Sequence, residues 1–145
     1  MTVFTRSIGA KWLPDAPYVL LVDDEESSFL PLGELVRYAG FPSIATQSAT
    51  DALACCYQRR PGLVVTDLDM PGPDGRALAR RLRRRFSGVP IVLVTGQNLD
   101  QPDWAIPAGL FEAVFSKPLD FERFIGLVGR LMPPPRRSGT TRGRS

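Results

Sequence analysis

The sequence predicts an α/β fold, a doubly wound five-stranded parallel sheet with helices on both faces. Two features carry that expectation. Of 145 residues, 43% are hydrophobic and 23% charged, the make-up of one globular domain able to bury a core. From Tyr18 onward, short apolar runs alternate with longer segments of helical period, the pattern of a parallel sheet covered on both sides.

In chain order, the first strand is expected at residues 18–22, an apolar run that halts at Asp23-Asp24. The first helix follows over 28–38 and is ended by Gly40. Pro31 and Gly33 predict an irregular start to it, since proline is tolerable only in an opening turn. Residues 43–46 form the second strand, the faintest of the five, and 50–59 the second helix, with Thr50 as its cap. The run 63–66 gives the third strand. The third helix spans about 75–86, where Leu78, Leu82 and Phe86 recur every four residues. One stripe then packs on the sheet while Arg76, Arg80, Arg83 and Arg84 face solvent. Strands four and five fall at 91–94 and 113–115. Between them, Pro102 and Pro107 divide residues 99–109 and leave at most a short or broken fourth helix. The fifth helix starts after Pro118, with Phe121, Phe124, Ile125, Val128 and Leu131 at core spacing.

Three segments follow from this reading. Residues 1–17 look like an irregular N-terminal extension from which Trp12 and Leu13 dock on the body. Residues 18–132 are the domain. Residues 133–145 open on three prolines and read as a disordered, Arg-rich tail.

The formal charge of +3 misleads until it is divided. The tail carries four arginines and no acid, whereas residues 18–132 hold twelve bases against fourteen acids. The domain is mildly acidic, which speaks against direct nucleic-acid binding by a folded face. No run approaches the ~18 apolar residues of a membrane span, and no secretion signal opens the chain, so a cytoplasmic protein is expected. Cys55 and Cys56 are adjacent, cannot bridge each other, and read as reduced packing residues. The chain has no histidine, which excludes histidine general bases, histidine metal ligands and phosphohistidine for this chain acting alone.

The informative feature is what ends the apolar runs. Strand one ends in Asp23-Asp24, strand three in Asp67, strand four in Thr95 and strand five in Ser116-Lys117. In a right-handed parallel α/β sheet these ends share one edge, where ligand sites form. Clustered carboxylates repel one another and need a cation, and an all-oxygen site favours a hard divalent ion such as Mg²⁺. A carboxylate held beside that ion and the Lys117 ammonium is placed to attack phosphorus and become an aspartyl phosphate, with Thr95 as a hydrogen-bond donor to the new group. Each residue also has a plainer explanation. Acids are favoured at a helix N-terminus, and the run from Asp67 to Gly75 has the composition of a turn. Lysine is nevertheless scarce here, with two in the chain against sixteen arginines, so a lysine at this strand end is pointed.

The motifs Val22-Asp23-Asp24-Glu25, Asp67-Leu68-Asp69-Met70-Pro71-Gly72-Pro73-Asp74-Gly75, Val94-Thr95-Gly96 and Lys117-Pro118, in that order, closely resemble the receiver domain of two-component response regulators. The resemblance covers about residues 18–131. It implies a flavodoxin-like sheet of order 2-1-3-4-5 and a phosphorelay function. Asp67 would accept the phosphoryl group, in trans, from a histidine kinase or histidine phosphotransfer protein. Asp24 would bind Mg²⁺ directly, Asp23 mainly through water and Asp69 through its backbone carbonyl. Thr95 would be the switch hydroxyl, Lys117 would contact the phosphoryl group, and the bond before Pro118 would be cis. Such a domain signals by contact with a downstream protein and is not a turnover enzyme; homodimerisation is left open.

The sequence departs from the family pattern in its output parts. The position three before Lys117, usually aromatic, is Val114, and Phe115 beside it points to the other face of its strand. Together with the broken fourth helix, this predicts signalling through a surface other than the fourth helix, fifth strand and fifth helix. Fewer than fifteen residues follow Met132, too few for a DNA-binding module. Two alternatives stay open at this point. One is a receiver-like interaction module without phosphorylation signalling. The other is a haloacid dehalogenase-type phosphohydrolase, disfavoured because that family's metal-binding acids come last.

Overall fold

The computed structural model describes the backbone of residues 6–8 and all of residues 16–134. A six-stranded sheet is built from β1 (Arg6–Ile8), β2 (Val19–Val22), β3 (Ser43–Thr46), β4 (Leu63–Thr66), β5 (Ile91–Thr95) and β6 (Ala113–Ser116). Four helices connect them: α1 (Glu26–Tyr38), α2 (Ala49–Gln58), α3 (Gly75–Arg85) and α4 (Phe121–Leu131). The strand order is β1-β3-β2-β4-β5-β6. Strands β3, β2, β4, β5 and β6 are mutually parallel, which is the expected order 2-1-3-4-5. Helices cover both faces.

One strand was not foreseen. Residues 6–8 pair antiparallel with β3, Ser7 opposite Ile44, and extend the sheet at its outer edge. The extension therefore contains a strand and is not irregular throughout. The expected docking of Trp12 and Leu13 lies outside the described residues, as do residues 135–145 of the tail.

The alternation of side chains along β2 builds two cores at once. Leu20 and Val22 join Leu78, Ala79 and Leu82 of α3 and Ala52, Cys55 and Cys56 of α2 on one face. Val19 and Leu21 join Phe29 and Val36 of α1 and Phe124 and Val128 of α4 on the other. Each residue of β2 is thus covered, and all four are apolar. Both cysteines are free and buried in the core, and burial pushes both thiols up, that of Cys56 to about 12, as fits packing residues.

Four local expectations change. α1 begins at Glu26, two residues early, and runs through Pro31, which sits exposed in its second turn with no N–H to offer the Ser27 carbonyl. Ser48, not Thr50, caps α2, its hydroxyl accepting from the Asp51 N–H at 3.1 Å. Phe121, expected in the core, is 58% exposed: it shares a helix face with the buried Phe124 and Val128, but it stands at the first residue of α4. In α3, Arg80 and Arg84 are exposed as expected, but Arg76 and Arg83 are half-buried.

Those two arginines serve the segment where a fourth helix would stand, which Pro102 and Pro107 interrupt. The segment after β5 contains only a 3₁₀ turn, Pro102–Trp104. Arg76 donates to the Ala105 carbonyl at 3.0 Å and lies 5.5 Å above the Trp104 ring, while Arg83 donates twice to the Leu110 carbonyl, at 2.8 and 3.2 Å. Carbonyls that a helix would satisfy internally are satisfied by α3 instead.

Gly129 in α4 has nothing within 4 Å of where a Cβ would stand. Gly129→Ala is expected to raise the stability by about 0.5–1 kcal/mol, read as a higher urea midpoint at unchanged slope, because alanine orders less chain on entering a helix.

Candidate functional site

The parallel register sets the ends of β2, β4, β5 and β6 along one edge, and backbone hydrogen bonds continue the ladder past the strands themselves. The Asp23 N–H donates to the Thr46 carbonyl at 3.1 Å, the Asp67 N–H to the Val22 carbonyl at 2.9 Å, and the Lys117 N–H to the Thr95 carbonyl at 2.9 Å. The backbone under the acids is therefore held as firmly as the sheet. Gly75 is pressed onto it from above: its N–H donates to the Leu68 carbonyl at 2.8 Å, and a Cβ there would stand 2.3 Å from the Asp67 carbonyl oxygen.

Carboxylate oxygens of Asp23, Asp24 and Asp67 lie within 4.8 Å of one another. Asp23 is almost fully buried, one oxygen accepting from the Glu25 N–H at 3.0 Å and the other 3.7 Å from the Lys117 ammonium. Lys117 also reaches the Ser28 hydroxyl at 3.5 Å. Burial raises the Asp23 carboxyl to about 6; Asp67 and Asp24 push the same way, and the Glu25 N–H and Lys117 oppose them. Asp67 is half-buried and likewise raised, first by burial, against the Leu68 N–H and Lys117. One ammonium faces three acids. The pocket is short of positive charge, and its all-oxygen donors fit a hard divalent cation.

Asp69 does not join the cluster. Its exposed carboxylate accepts from the Gln97 side-chain amide at 3.1 Å. Gln97 also donates its backbone N–H to the Thr95 hydroxyl oxygen at 3.0 Å, and Thr95 itself is fully buried at the end of β5. Gln97 thus ties the Thr95 loop to the Asp67 loop. Sequence reasoning missed it, and a glutamine in a polar loop gives no signal by which to find it. The Lys117–Pro118 bond is cis.

The family model for the response regulator receiver domain matches residues 19–128. The chain belongs to that family. This receiver domain is 33% identical over 111 residues to the C4-dicarboxylate transport transcriptional regulatory protein DctD of Rhizobium meliloti, covering 76% of this chain and 24% of that protein. It thus spans about a quarter of that relative's length. It is 28% identical over 112 residues to the polar-differentiation response regulator DivK of Brucella ovis, covering 76% of this chain and 91% of DivK. Among solved structures it is similar to the signal receiver domain of an HD domain-containing protein from Pseudomonas fluorescens Pf-5, with TM-score 0.71, 27% identity, and 79% and 93% of the two chains covered. Membership of the receiver family displaces the haloacid dehalogenase-type alternative. No helix among the described residues is long and apolar enough to cross a membrane.

The departure at Val114 has a structural counterpart. Phe115 is buried on the α1 and α4 face, edge-on to Phe124 at 5.7 Å and beneath the Arg123 guanidinium at 4.7 Å. It is committed to that core. Val114, half-buried, is the side chain left on the Thr95 face.

Proposed function

We propose that this receiver domain, as a unit of residues 18–132, accepts a phosphoryl group on Asp67 from a histidine kinase or histidine phosphotransfer protein and passes the signal on by protein contact. The single observation supporting this most is the convergence of three carboxylates and one ammonium in a pocket where Asp67 keeps partial access to solvent. An Asp67 oxygen forms the new O–P bond as the P–N bond to the donor imidazole breaks, and the departing nitrogen takes up a proton. The donor acts in trans, since this chain has no histidine. Asp23, Asp24 and Asp67, with the Asp69 backbone carbonyl, are the groups that would hold Mg²⁺. When bound, that ion supplies positive charge against the phosphoryl oxygens. Lys117, anchored between Asp23 and Ser28, is a second source of such charge. Thr95 accepts from Gln97 and so keeps its own hydroxyl proton for a phosphoryl oxygen.

Asp67→Asn removes the nucleophile with little change in shape. Incubated with Mg²⁺ and acetyl phosphate, the wild type is expected to gain the mass of one phosphoryl group, and Asp67→Asn none, with a urea midpoint no lower than that of the wild type. Uptake of the same mass by Asp67→Asn would end this reading and return the domain to a receiver-like interaction module.

A further inference from the structure

Between α2 and α3, on the face of the sheet away from α1 and α4, runs a groove of about 620 Å³. Its floor is apolar, made by Leu53, Ala54 and Ala77, and its rim carries Arg81, Arg84 and Arg85. Tyr57 stands in it 59% exposed yet fixed, its ring edge-on to Phe86 at 5.0 Å and its hydroxyl accepting from the Arg85 guanidinium at 2.8 Å. A rigid, half-exposed aromatic beside a shallow apolar floor has the make-up of an interface anchor.

A merely solvated helix face would be built otherwise. α3 has six arginines in eleven residues and no acid. Arg76 and Arg80, Arg80 and Arg84, and Arg81 and Arg85 stand four apart, where like charges destabilise a helix, and the helix dipole offsets this only in the last turn. Arg76 is paired with Asp74 and, like Arg83, engaged with the loop before β6, and Arg85 is engaged with Tyr57, but Arg80, Arg81 and Arg84 have no acidic partner among the described residues. Outside α3, residues 18–132 carry six bases against fourteen acids. Positive charge is thus concentrated beside this one groove. A nucleic acid fits it poorly, because phosphates would leave the apolar floor unmatched while the surrounding domain repels a polyanion. A protein segment satisfies both halves.

We propose that the α2–α3 groove docks an acidic segment of a partner protein, with one large apolar side chain on Leu53 and Ala54 beside Tyr57 and carboxylates paired to Arg81 and Arg84. The docking goes beyond the phosphoryl chemistry and does not depend on it. It is therefore measured on the full, unphosphorylated chain.

The probe is a synthetic helical peptide with leucine on one face and glutamate on the next, titrated into methyl-labelled protein and followed by anisotropy. The Leu53, Ala54 and Ala77 methyl resonances are expected to move. The double variant Arg81→Glu with Arg84→Glu should weaken binding about tenfold or more, and a peptide with lysine for glutamate should then bind this variant better than the wild type. Tyr57→Ala should weaken it severalfold with the circular dichroism spectrum unchanged. Equal affinity of wild type and the charge-reversed variant would assign binding to the arginine-rich tail and overturn the proposal. Unmoved groove methyls, or a short single-stranded oligonucleotide that displaces the peptide from them, would overturn it as well.

Discussion

Gly75→Ala is expected to destabilise the domain by about 3 kcal/mol and to slow phosphoryl uptake at Asp67 more than any other single-methyl change. The added Cβ would stand 2.3 Å from the Asp67 carbonyl oxygen and 3.1 Å from the Leu68 Cα, both backbone atoms with no rotamer to escape into. Relief requires α3 to lift or the 67–68 peptide to turn. Either movement strains the 2.8 Å bond from the Gly75 N–H to the Leu68 carbonyl and displaces the Asp67 carboxylate from Asp23 and Asp24. The same methyl at Gly129 meets nothing, so the pair separates close approach from helix propensity. Urea unfolding gives the stability and intact mass against time with acetyl phosphate gives the uptake. A Gly75→Ala protein with the wild-type midpoint would show that the contact is not a constraint.

Much of this arrangement was legible in the residues. Strands at 43–46 and 63–66 appear with the expected bounds because an apolar run between turn residues has one way to be covered on both faces. The convergence of Asp23, Asp24, Asp67, Thr95 and Lys117 on one edge followed from parallel topology alone, which puts every strand's C-terminus on the same side. What escaped is set by tertiary context. Residues 6–8 have no apolar alternation, and they pair because β3 presents an open edge. Pro31 sits inside a helix that packing on Phe29, Leu32 and Val36 holds together despite the lost hydrogen bond. Arg76 and Arg83 looked like solvated charges, and only the absence of a helix after β5 gives them carbonyls to serve. Periodicity finds a face, but it does not say which polar groups a neighbouring loop leaves unsatisfied.

Asp23→Asn is expected to stabilise the domain by about 2 kcal/mol at neutral pH without divalent cations, and to remove most of the stabilisation that Mg²⁺ gives the wild type. The folded domain holds the Asp23 proton up to about pH 6, above the ordinary value of 3.8. Below the ordinary value the carboxyl is protonated in both states and contributes no penalty. As pH rises from there through about 6, the unfolded chain releases the proton more readily than the folded one, so stability attributable to Asp23 falls and then levels off. Asp67 is raised for the same first reason, burial, and slopes the same way. Asp74 slopes oppositely: despite its burial, the Ala77 N–H and the Arg76 guanidinium hold its carboxyl below the usual range, and their support is lost as pH falls. The difference between wild type and Asp23→Asn cancels Asp74 and isolates the acidic pocket. Asparagine keeps an oxygen for the Glu25 N–H, so the loop stays anchored while the buried charge is gone. Thermal unfolding across pH 4 to 8, with EDTA or with Mg²⁺, is expected to give curves for the two proteins that converge in acid and diverge toward neutrality, with Mg²⁺ closing the gap from the wild-type side. Parallel curves at every pH would mean that Asp23 carries no repulsion in the fold, and the reading of the pocket as short of positive charge would fall with it.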